Sequence, residues 1–209
     1  MMFKNRMDAA HQLAQRLGHV KGRHPLVLAI PRGAVPMGAE LARLLDGELD
    51  VVLVRKLRAP WQPELAIGAV DETGWTWVPE APAGSALPPS YLQEETRRQL
   101  ATICQRRQRY TPIRAPVDPA GRVVVVVDDG LATGATMVAA LHALRQRQPA
   151  PARIICAVPV ASREALALVT PMADEVVCLH SPPGFAAVGQ FYRDFDQMED
   201  DEVERVLRG

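Results

Sequence analysis

Two adjacent carboxylates, Asp128 and Asp129, follow a run of five valines, and a turn of small and hydroxyl-bearing residues follows the acids. A continuous β-branched run bounded by turn residues is typical of a buried parallel strand. Ligands of parallel α/β sheets bind beyond the carboxyl ends of the strands, so the two acids are predicted to face a ligand. Carboxylates at this place can accept hydrogen bonds from hydroxyl groups, such as those of a sugar.

The turn after the acids supplies groups that suit a phosphate. Residues 130–136 read Gly-Leu-Ala-Thr-Gly-Ala-Thr and lead into a helical pattern. Backbone N–H groups, the hydroxyls of Thr133 and Thr136 and a helix N-terminus can together bind an anion. The two acids can bind the hydroxyl groups of a sugar, and the turn beside them can bind a phosphate. Together they predict a phosphorylated sugar as the ligand. The alternative is a core strand that ends in an acidic turn and a capped helix, since Asp and Thr are ordinary cap residues.

Two commoner phosphate-binding motifs do not fit this segment. A P-loop requires Lys and then Ser or Thr after its last glycine, whereas Gly134 is followed by Ala135 and Thr136. The dinucleotide fingerprint requires three glycines, and only Gly130 and Gly134 are present. The segment closely resembles the 5-phosphoribosyl-1-pyrophosphate (PRPP) motif of type I phosphoribosyltransferases. That motif has four apolar residues, two acids, two small or apolar residues and a short Ala/Thr-Thr-Gly-x-Thr loop.

The resemblance implies an enzyme that transfers a phosphoribosyl group from PRPP to a nitrogen acceptor, depends on Mg²⁺ and releases pyrophosphate. Asp128 and Asp129 would contact the ribose hydroxyls, directly or through a hydrated Mg²⁺. Enzymes with 6-oxopurine acceptors carry a carboxylate where this chain has Ala132, so the acceptor stays open. The residues that would bind the 5-phosphate are Leu131, Ala132, Thr133, Gly134, Ala135 and Thr136.

Two further segments resemble elements that bind pyrophosphate in this family. Arg32 and Gly33 lie in Ala-Ile-Pro-Arg-Gly-Ala, which resembles the pyrophosphate loop; in the family that loop often contains a cis peptide not preceding proline. Arg55 and Lys56 resemble a basic pair of adenine phosphoribosyltransferases that reaches pyrophosphate, sometimes from a neighbouring subunit. The resemblance thus implies catalytic roles for Arg32 and Lys56 beside the two acids. The alternative interpretations are a surface turn for the segment with Arg32 and Gly33, and two solvated charges for Arg55 and Lys56.

The segment 185–195 resembles the hood of 6-oxopurine phosphoribosyltransferases, where an aromatic ring stacks on the base and an acid lies nearby. The resemblance implies a base site of Phe185, Val188, Tyr192 and Asp194. Phe185 or Tyr192 would stack on the base, and Asp194 would contact the base or the Mg²⁺-pyrophosphate. A C-terminal hydrophobic plug is the alternative interpretation.

Alternating strand and helix patterns predict an α/β fold with a doubly wound, mostly parallel sheet. We expect one domain over residues 1–209, with an inserted flap at about 71–120 and a small hood at about 180–209, as in the type I phosphoribosyltransferase fold. Besides the valine strand and the helix after it, strands are predicted at 25–30, 51–54, 153–160 and 175–179. Helices are predicted at about 5–17, 35–45, 90–109, 162–169 and 199–207. A hairpin is predicted around 71–74 and a loop at 79–89.

Composition narrows the class of protein. The 209 residues are 48% hydrophobic with a formal net charge of zero, which argues against a broad basic surface for nucleic acid. Three scattered cysteines fit a reducing cytoplasm, and no apolar run approaches the roughly 20 residues that span a bilayer. We therefore expect a cytoplasmic protein with small-molecule ligands, and the family resemblance implies a homodimer.

A second function stays open at this stage. The chain is alternatively a PRPP- or nucleotide-sensing regulator on the same fold that binds RNA, because the predicted helix at 90–109 is rich in arginine. Pairing of these arginines with Glu94 and Glu95 on an exposed helix would explain part of the run without RNA. The residues concerned are Arg97, Arg98, Arg106, Arg107 and Arg109. An α/β hydrolase is disfavoured because the chain has no Gly-x-Ser-x-Gly elbow.

Overall fold

The computed structural model describes residues 2–79 and 87–209. Within them, strands and helices alternate along most of the chain. The strands are β1 (Leu26–Ala29), β2 (Glu48–Val51), β3 (Val54–Ala59), β4 (Gln62–Asp71), β5 (Thr76–Trp77), β6 (Val123–Val127), β7 (Arg153–Val160) and β8 (Glu175–His180). The α-helices are α1 (Arg6–Arg16), α2 (Val35–Leu44), α3 (Pro89–Tyr110), α4 (Ala135–Arg145), α5 (Arg163–Val169) and α6 (Asp200–Arg208).

Five strands form a parallel sheet in the order β2-β1-β6-β7-β8, with the valine strand β6 at its centre. Successive side chains of a strand point to opposite faces. Val125 and Val127 accordingly join the core beneath α1 and α2, whereas Val124 and Val126 join the core beneath α4. Apolar side chains are thus needed at every position of β6, and the predicted doubly wound parallel sheet is confirmed.

Side-chain caps mark the beginnings of two helices. Asn5 accepts a hydrogen bond from the Asp8 N–H at the start of α1, and Ser162 accepts one from the Ala165 N–H at the start of α5. Gly134 precedes α4 with φ of +77°, a conformation that glycine adopts readily. The spacing of Met137, Ala140, Leu141 and Leu144 at i, i+3, i+4 and i+7 predicts one buried face of α4, and all four residues are buried.

A small antiparallel sheet, in the order β3-β4-β5, interrupts the parallel arrangement. It packs against α3 and α4 and contains the predicted hairpin, whose turn is held by Asp71 Oδ1 accepting from the N–H groups of Thr73 and Trp75. The prediction of one strand at 51–54 is wrong, because the chain turns away from the parallel sheet after Val51 and the stretch 54–59 pairs with β4 instead. The expected flap at about 71–120 stays a prediction. Of the predicted loop at 79–89, residues 80–86 lie outside the described residues.

The N-terminal segment pairs with the segment that follows β8. Phe3 N–H donates to the Phe191 carbonyl, and the N–H groups of Arg193 and Asp194 donate to the carbonyls of Phe3 and Lys4. The beginning of α1 is therefore fixed against the region predicted as a hood. None of the helices in residues 2–79 and 87–209 is long and apolar enough to cross a membrane.

Candidate active site

A cavity of about 490 Å³ lies beyond the carboxyl ends of β1 and β6. Its lining comes from distant parts of the chain: the turn after each of these strands, one residue of β3, the first residue of α1 and the segment before α6. The lining residues are Arg6, Ile30, Pro31, Arg32, Gly33, Lys56, residues 128–134, Thr136, Val188 and residues 195–198.

The two acids after β6 are fixed on one side and open on the other. The Asp129 N–H donates to Asp128 Oδ1 (2.9 Å), and Arg6 donates from Nε and Nη2 to Asp129 Oδ2 (3.0 and 2.9 Å). The Tyr192 hydroxyl donates to the Asp129 carbonyl oxygen (2.7 Å). No hydrogen bond from the described residues reaches Asp128 Oδ2 or Asp129 Oδ1. Both residues line the cavity, so these oxygens are available to hydroxyl groups or to a hydrated cation.

Burial raises the pKa of both carboxyl groups. For Asp128, burial is the largest cause and the neighbouring charge of Asp129 is the second. For Asp129, burial raises the pKa, and the charge and hydrogen bonds of Arg6 limit the rise. Lys56 favours the ionised form of both acids. The pair is therefore costly to ionise in the free protein, and a bound cation or hydrogen-bond donor would favour the ionised form.

The predicted phosphate loop lies at the N-terminus of α4. Five of its six predicted residues line the cavity; the sixth, Ala135, is buried in the core beneath α4. The loop is anchored to the next strand and helix, because the Leu131 N–H donates to the Val160 carbonyl and the Ser162 hydroxyl donates to the Ala132 carbonyl. N–H groups of the first turn of α4 have no partner within the helix, which suits this end of the cavity to an anion.

The basic residues divide into two groups. Arg32 and Lys56 line the cavity as predicted, but Arg55 does not. Neighbouring residues of a strand point to opposite faces, and Arg55 of β3 accordingly points toward α3, where its Nε donates to Gln99 Oε1 (3.0 Å). In the protomer described, Lys56 therefore lies at the cavity and Arg55 lies against α3.

The loop after β1 has the features that the family resemblance implies. The Pro31–Arg32 peptide is cis, and a Cβ atom on Gly33 would collide with Asp129 Oδ2. Arg32 Nη1 donates to Glu199 Oε2 (2.8 Å) and lies 3.6 Å from Asp200 Oδ2. Arg32 is thus paired with carboxylates at the start of α6, and an anionic ligand would have to compete with them.

The hood differs from its expected composition. Val188 lines the cavity, but Phe185, Tyr192 and Asp194 do not. The Tyr192 ring is 5% exposed and stacks on Phe195, with centroids 4.9 Å apart, so it cannot stack on a base as arranged here. Phe185 packs on the ring of Phe191 at a centroid distance of 5.2 Å, and Asp194 forms an ion pair with its neighbour Arg193. Tyr192 and Asp194 also contact the N-terminal segment: the Tyr192 ring lies 5.4 Å from that of Phe3, and the Asp194 N–H donates to the Lys4 carbonyl.

Several cavity residues were not predicted from the sequence. Arg6 enters from α1, and the C-terminal segment contributes 195–198. Arg6 is separated from Asp129 by 123 positions, and no local pattern marks it. Gly130, the residue directly after the two acids, leaves no room for a side chain. A Cβ atom there would lie 2.7 Å from Val188 Cγ1 and 2.9 Å from Val160 Cγ1, so Val188 occupies the space above the acids.

The arginine-rich helix α3 is engaged within the chain. Each of its five arginines has a carboxylate partner, which removes the motivation for an RNA-binding surface on this helix. Two of the pairs join residues three apart on α3, and the others reach β4–β5 or α6. The pairs are Arg97–Glu94, Arg98–Glu95, Arg106–Asp200, Arg107–Glu72 and Arg109 with both Asp201 and Glu204.

The fold and the cavity together are those of α/β proteins that hold a ligand at the carboxyl edge of a parallel sheet. The family model described as the phosphoribosyl transferase domain matches residues 3–195. The chain therefore belongs to the phosphoribosyl transferase family.

Relatives agree with this assignment. Proteins of two Mycobacterium tuberculosis strains, each named "Putative phosphoribosyl transferase", are 42% identical over 207 residues; the match covers 99% of this chain and 46% of theirs. The chain thus spans about half the length of these curated relatives. A crystal structure of a Thermus thermophilus protein has 45% identity and a TM-score of 0.81, and the match covers 100% of this chain and 98% of that one.

A more distant structure shares the fold alone. It is that of a hypothetical protein from Neisseria gonorrhoeae with bound ppGpp, with 14% identity and a TM-score of 0.55. The match covers 99% of this chain and 94% of that one.

The contact between Gly130 and Val188 predicts a non-additive pair of substitutions. We expect Gly130→Ala to lower the free energy of unfolding by about 1–3 kcal/mol, because its methyl group must displace Val188 and Val160. Val188→Ala in the same chain removes the contact with Val188. The free energy of unfolding of the double variant should therefore fall by less than the sum of the two single losses. Urea denaturation of the four proteins measures this, and strictly additive losses would contradict the contact.

Proposed function

We propose that this chain transfers the 5-phosphoribosyl group of PRPP to a nitrogen acceptor and releases pyrophosphate. The observation that carries the proposal is the pair of open carboxylate oxygens, Asp128 Oδ2 and Asp129 Oδ1, in one cavity with the loop before α4. A ribose 5-phosphate unit has hydroxyl groups for the acids at one end and a dianionic phosphate for the loop at the other. Family membership supports the same activity.

The acids and the loop would orient the ribose. Asp128 and Asp129 accept hydrogen bonds from the 2- and 3-hydroxyl groups, and the hydroxyls of Thr133 and Thr136 together with loop N–H groups donate to the 5-phosphate. Hydrogen bonds at both ends of the sugar fix its C1 atom relative to the rest of the cavity. Such orientation lowers the entropic part of the barrier to substitution at C1.

Arg32 and Lys56 would bind the leaving group. Both line the cavity beside the acids, and a guanidinium can donate two hydrogen bonds to pyrophosphate oxygens. Negative charge builds on pyrophosphate as the C1–O bond breaks, and fixed positive charges favour that state over the bound substrate. Arg32 would exchange its pairing with Glu199 for pairing with the substrate.

The residues present fit a Mg²⁺ ion that arrives with the substrate. Mg²⁺ prefers oxygen ligands and is commonly held by one or two carboxylates together with substrate phosphates. Asp128 and Asp129 supply such oxygens, and no three His, Cys, Asp or Glu side chains of the described residues form a metal site by themselves. The ion would supply positive charge to the pyrophosphate, and Asp128 and Asp129 would hold it.

The substitution forms one bond and breaks one bond at C1. The acceptor nitrogen supplies an electron pair to C1, the C1–O bond breaks, and pyrophosphate leaves with that bond's electrons. The acceptor nitrogen then loses a proton to solvent or to a basic group. The acceptor would enter beside Val188 and the 195–198 segment, which line the same cavity as the acids.

Calorimetric titration of the protein with PRPP, with and without Mg²⁺, tests the proposal. We expect binding that Mg²⁺ strengthens, and we expect Asp128→Asn with Asp129→Asn to abolish it, because amide groups lack the charge to attract the cation. A screen of purines, pyrimidines and other amines for pyrophosphate release would then identify the acceptor. Asp194→Asn is the matched control, since Asp194 lies outside the cavity lining, and its affinity should equal that of the unchanged protein. No binding at millimolar PRPP would refute the proposal.

The pairing of Arg32 with Glu199 predicts opposite effects of two substitutions. We expect Arg32→Ala to weaken pyrophosphate binding by about 10- to 100-fold, the effect of losing hydrogen bonds to a charged group. The affinity of this variant for ribose 5-phosphate should fall much less. Glu199→Gln should strengthen pyrophosphate binding by about two- to fivefold, because it removes an exposed competing charge. Competition titrations with both ligands measure these changes, and equal losses of the two ligands in Arg32→Ala would argue against the assignment.

A further inference from the structure

We infer that Arg6 is a positioning residue for the ribose site, which acts by holding Asp129 in the orientation that meets the sugar hydroxyls. The inference rests on the proposed function, because it concerns how Asp129 contacts a ribose. Arg6 lies outside the acid motif, the phosphate loop and the pyrophosphate loop, and it reaches the cavity from the first position of α1.

Every nitrogen of the Arg6 guanidinium has an acceptor. Nε and Nη2 donate to Asp129 Oδ2 at 3.0 and 2.9 Å, and Nη1 donates to the Asp196 carbonyl at 2.8 Å. The guanidinium carbon lies 4.0 Å from the centre of the Phe195 ring, the range of a cation–π contact. Hydrogen bonds and ring together fix both the place and the plane of this group.

The contacts leave Asp129 only one oxygen for a ligand. Arg6 occupies Oδ2, and the same oxygen lies so close to Gly33 that a Cβ atom there would collide with it. Tyr192 holds the backbone carbonyl of Asp129. Asp129 is thus held by Arg6 of α1 and by Tyr192 after β8, close to the loop after β1, and its Oδ1 accepts no hydrogen bond from the described residues.

The pair is shielded enough from solvent for its geometry to persist. The side chains of Arg6 and Asp129 are 13% and 16% exposed. Arg6 itself is held by the beginning of α1, which the hydrogen bonds of Phe3 and Lys4 fix to the hood. A lysine at position 6 would keep the positive charge but not the planar set of donors that reaches Asp129 and Asp196 together.

Two other roles are possible for such an arginine, and they make different predictions. A residue that only stabilises the fold would change the free energy of unfolding and leave the affinities of the folded protein unchanged. If Arg6 contacts the phosphate groups directly, its substitution would lower the affinity for all anionic ligands alike. This effect would be independent of Asp129. If Arg6 is a positioning residue, its substitution lowers the affinity for the ligand that Asp129 contacts. This loss occurs only while Asp129 has its carboxylate.

The test compares ribose 5-phosphate with inorganic pyrophosphate, titrated calorimetrically into the whole protein. The variants are Arg6→Lys, Arg6→Gln, Asp129→Asn and the double variant Arg6→Gln with Asp129→Asn. Arg43→Gln is the control, because Arg43 forms an exposed pair with Glu40 away from the cavity. Thermal unfolding of each variant shows that the affinities are those of folded protein.

We expect Arg6→Lys to lower the affinity for ribose 5-phosphate about tenfold and to change the affinity for pyrophosphate less than about twofold. The reason is that lysine keeps the charge but loses the planar set of donors. The double variant should bind ribose 5-phosphate within about twofold of Asp129→Asn alone. Arg43→Gln should match the unchanged protein for both ligands.

The inference is overturned if Arg6→Lys and Arg6→Gln, both folded, bind ribose 5-phosphate as the unchanged protein does. It is also overturned if the losses in Arg6→Gln and Asp129→Asn add fully in the double variant, since Arg6 would then act on the ligand directly. If either variant at position 6 does not fold, the other decides. Failure of the unchanged protein to bind ribose 5-phosphate at all would refute the proposed function instead, and the inference with it.

Discussion

The burial of two adjacent carboxylates at the carboxyl end of β6 is the constraint around which the molecule is arranged. Removing a charged group from water is unfavourable unless hydrogen bonds and opposite charges replace the solvent. Arg6, Lys56 and the backbone N–H of Asp129 supply part of that replacement. The raised pKa of both carboxyl groups shows that the replacement is incomplete. A ligand that brings hydroxyl groups or a cation can supply the rest.

This constraint accounts for the convergence of distant segments on one cavity. The N-terminal segment pairs with the chain after β8, and this pairing places Arg6 and Phe195 beside the acids. Gly33 and Gly130 leave room for Asp129 and Val188 to approach closely. The carboxylates that begin α6 hold Arg32 on the other side of the cavity. In the free protein, carboxylates and cations therefore neutralise one another around this cavity.

Features that depend on neighbouring residues could be predicted from the sequence. The β-branched run indicated β6, the i, i+3, i+4 spacing indicated the buried face of α4, and both acids and the phosphate loop belong to one contiguous motif. Features that depend on packing between distant segments could not. Arg6 carries no local signal, and the burial of Tyr192 depends on Phe3 at the other end of the chain. The placement of Arg55 away from the cavity could have been predicted, because alternation along a strand places it opposite Lys56.

The most direct test of the central claim is whether the acids recognise ribose hydroxyls. Ribose 5-phosphate and 2-deoxyribose 5-phosphate differ by one hydroxyl group and carry the same phosphate, so calorimetric titration of both isolates the contribution of the acids. Loss of a hydrogen bond to a charged group costs about 1.5–3 kcal/mol. The account therefore predicts that the deoxy sugar binds roughly 10- to 100-fold more weakly. Equal affinities would contradict it, because the cavity would then recognise the phosphate without the sugar.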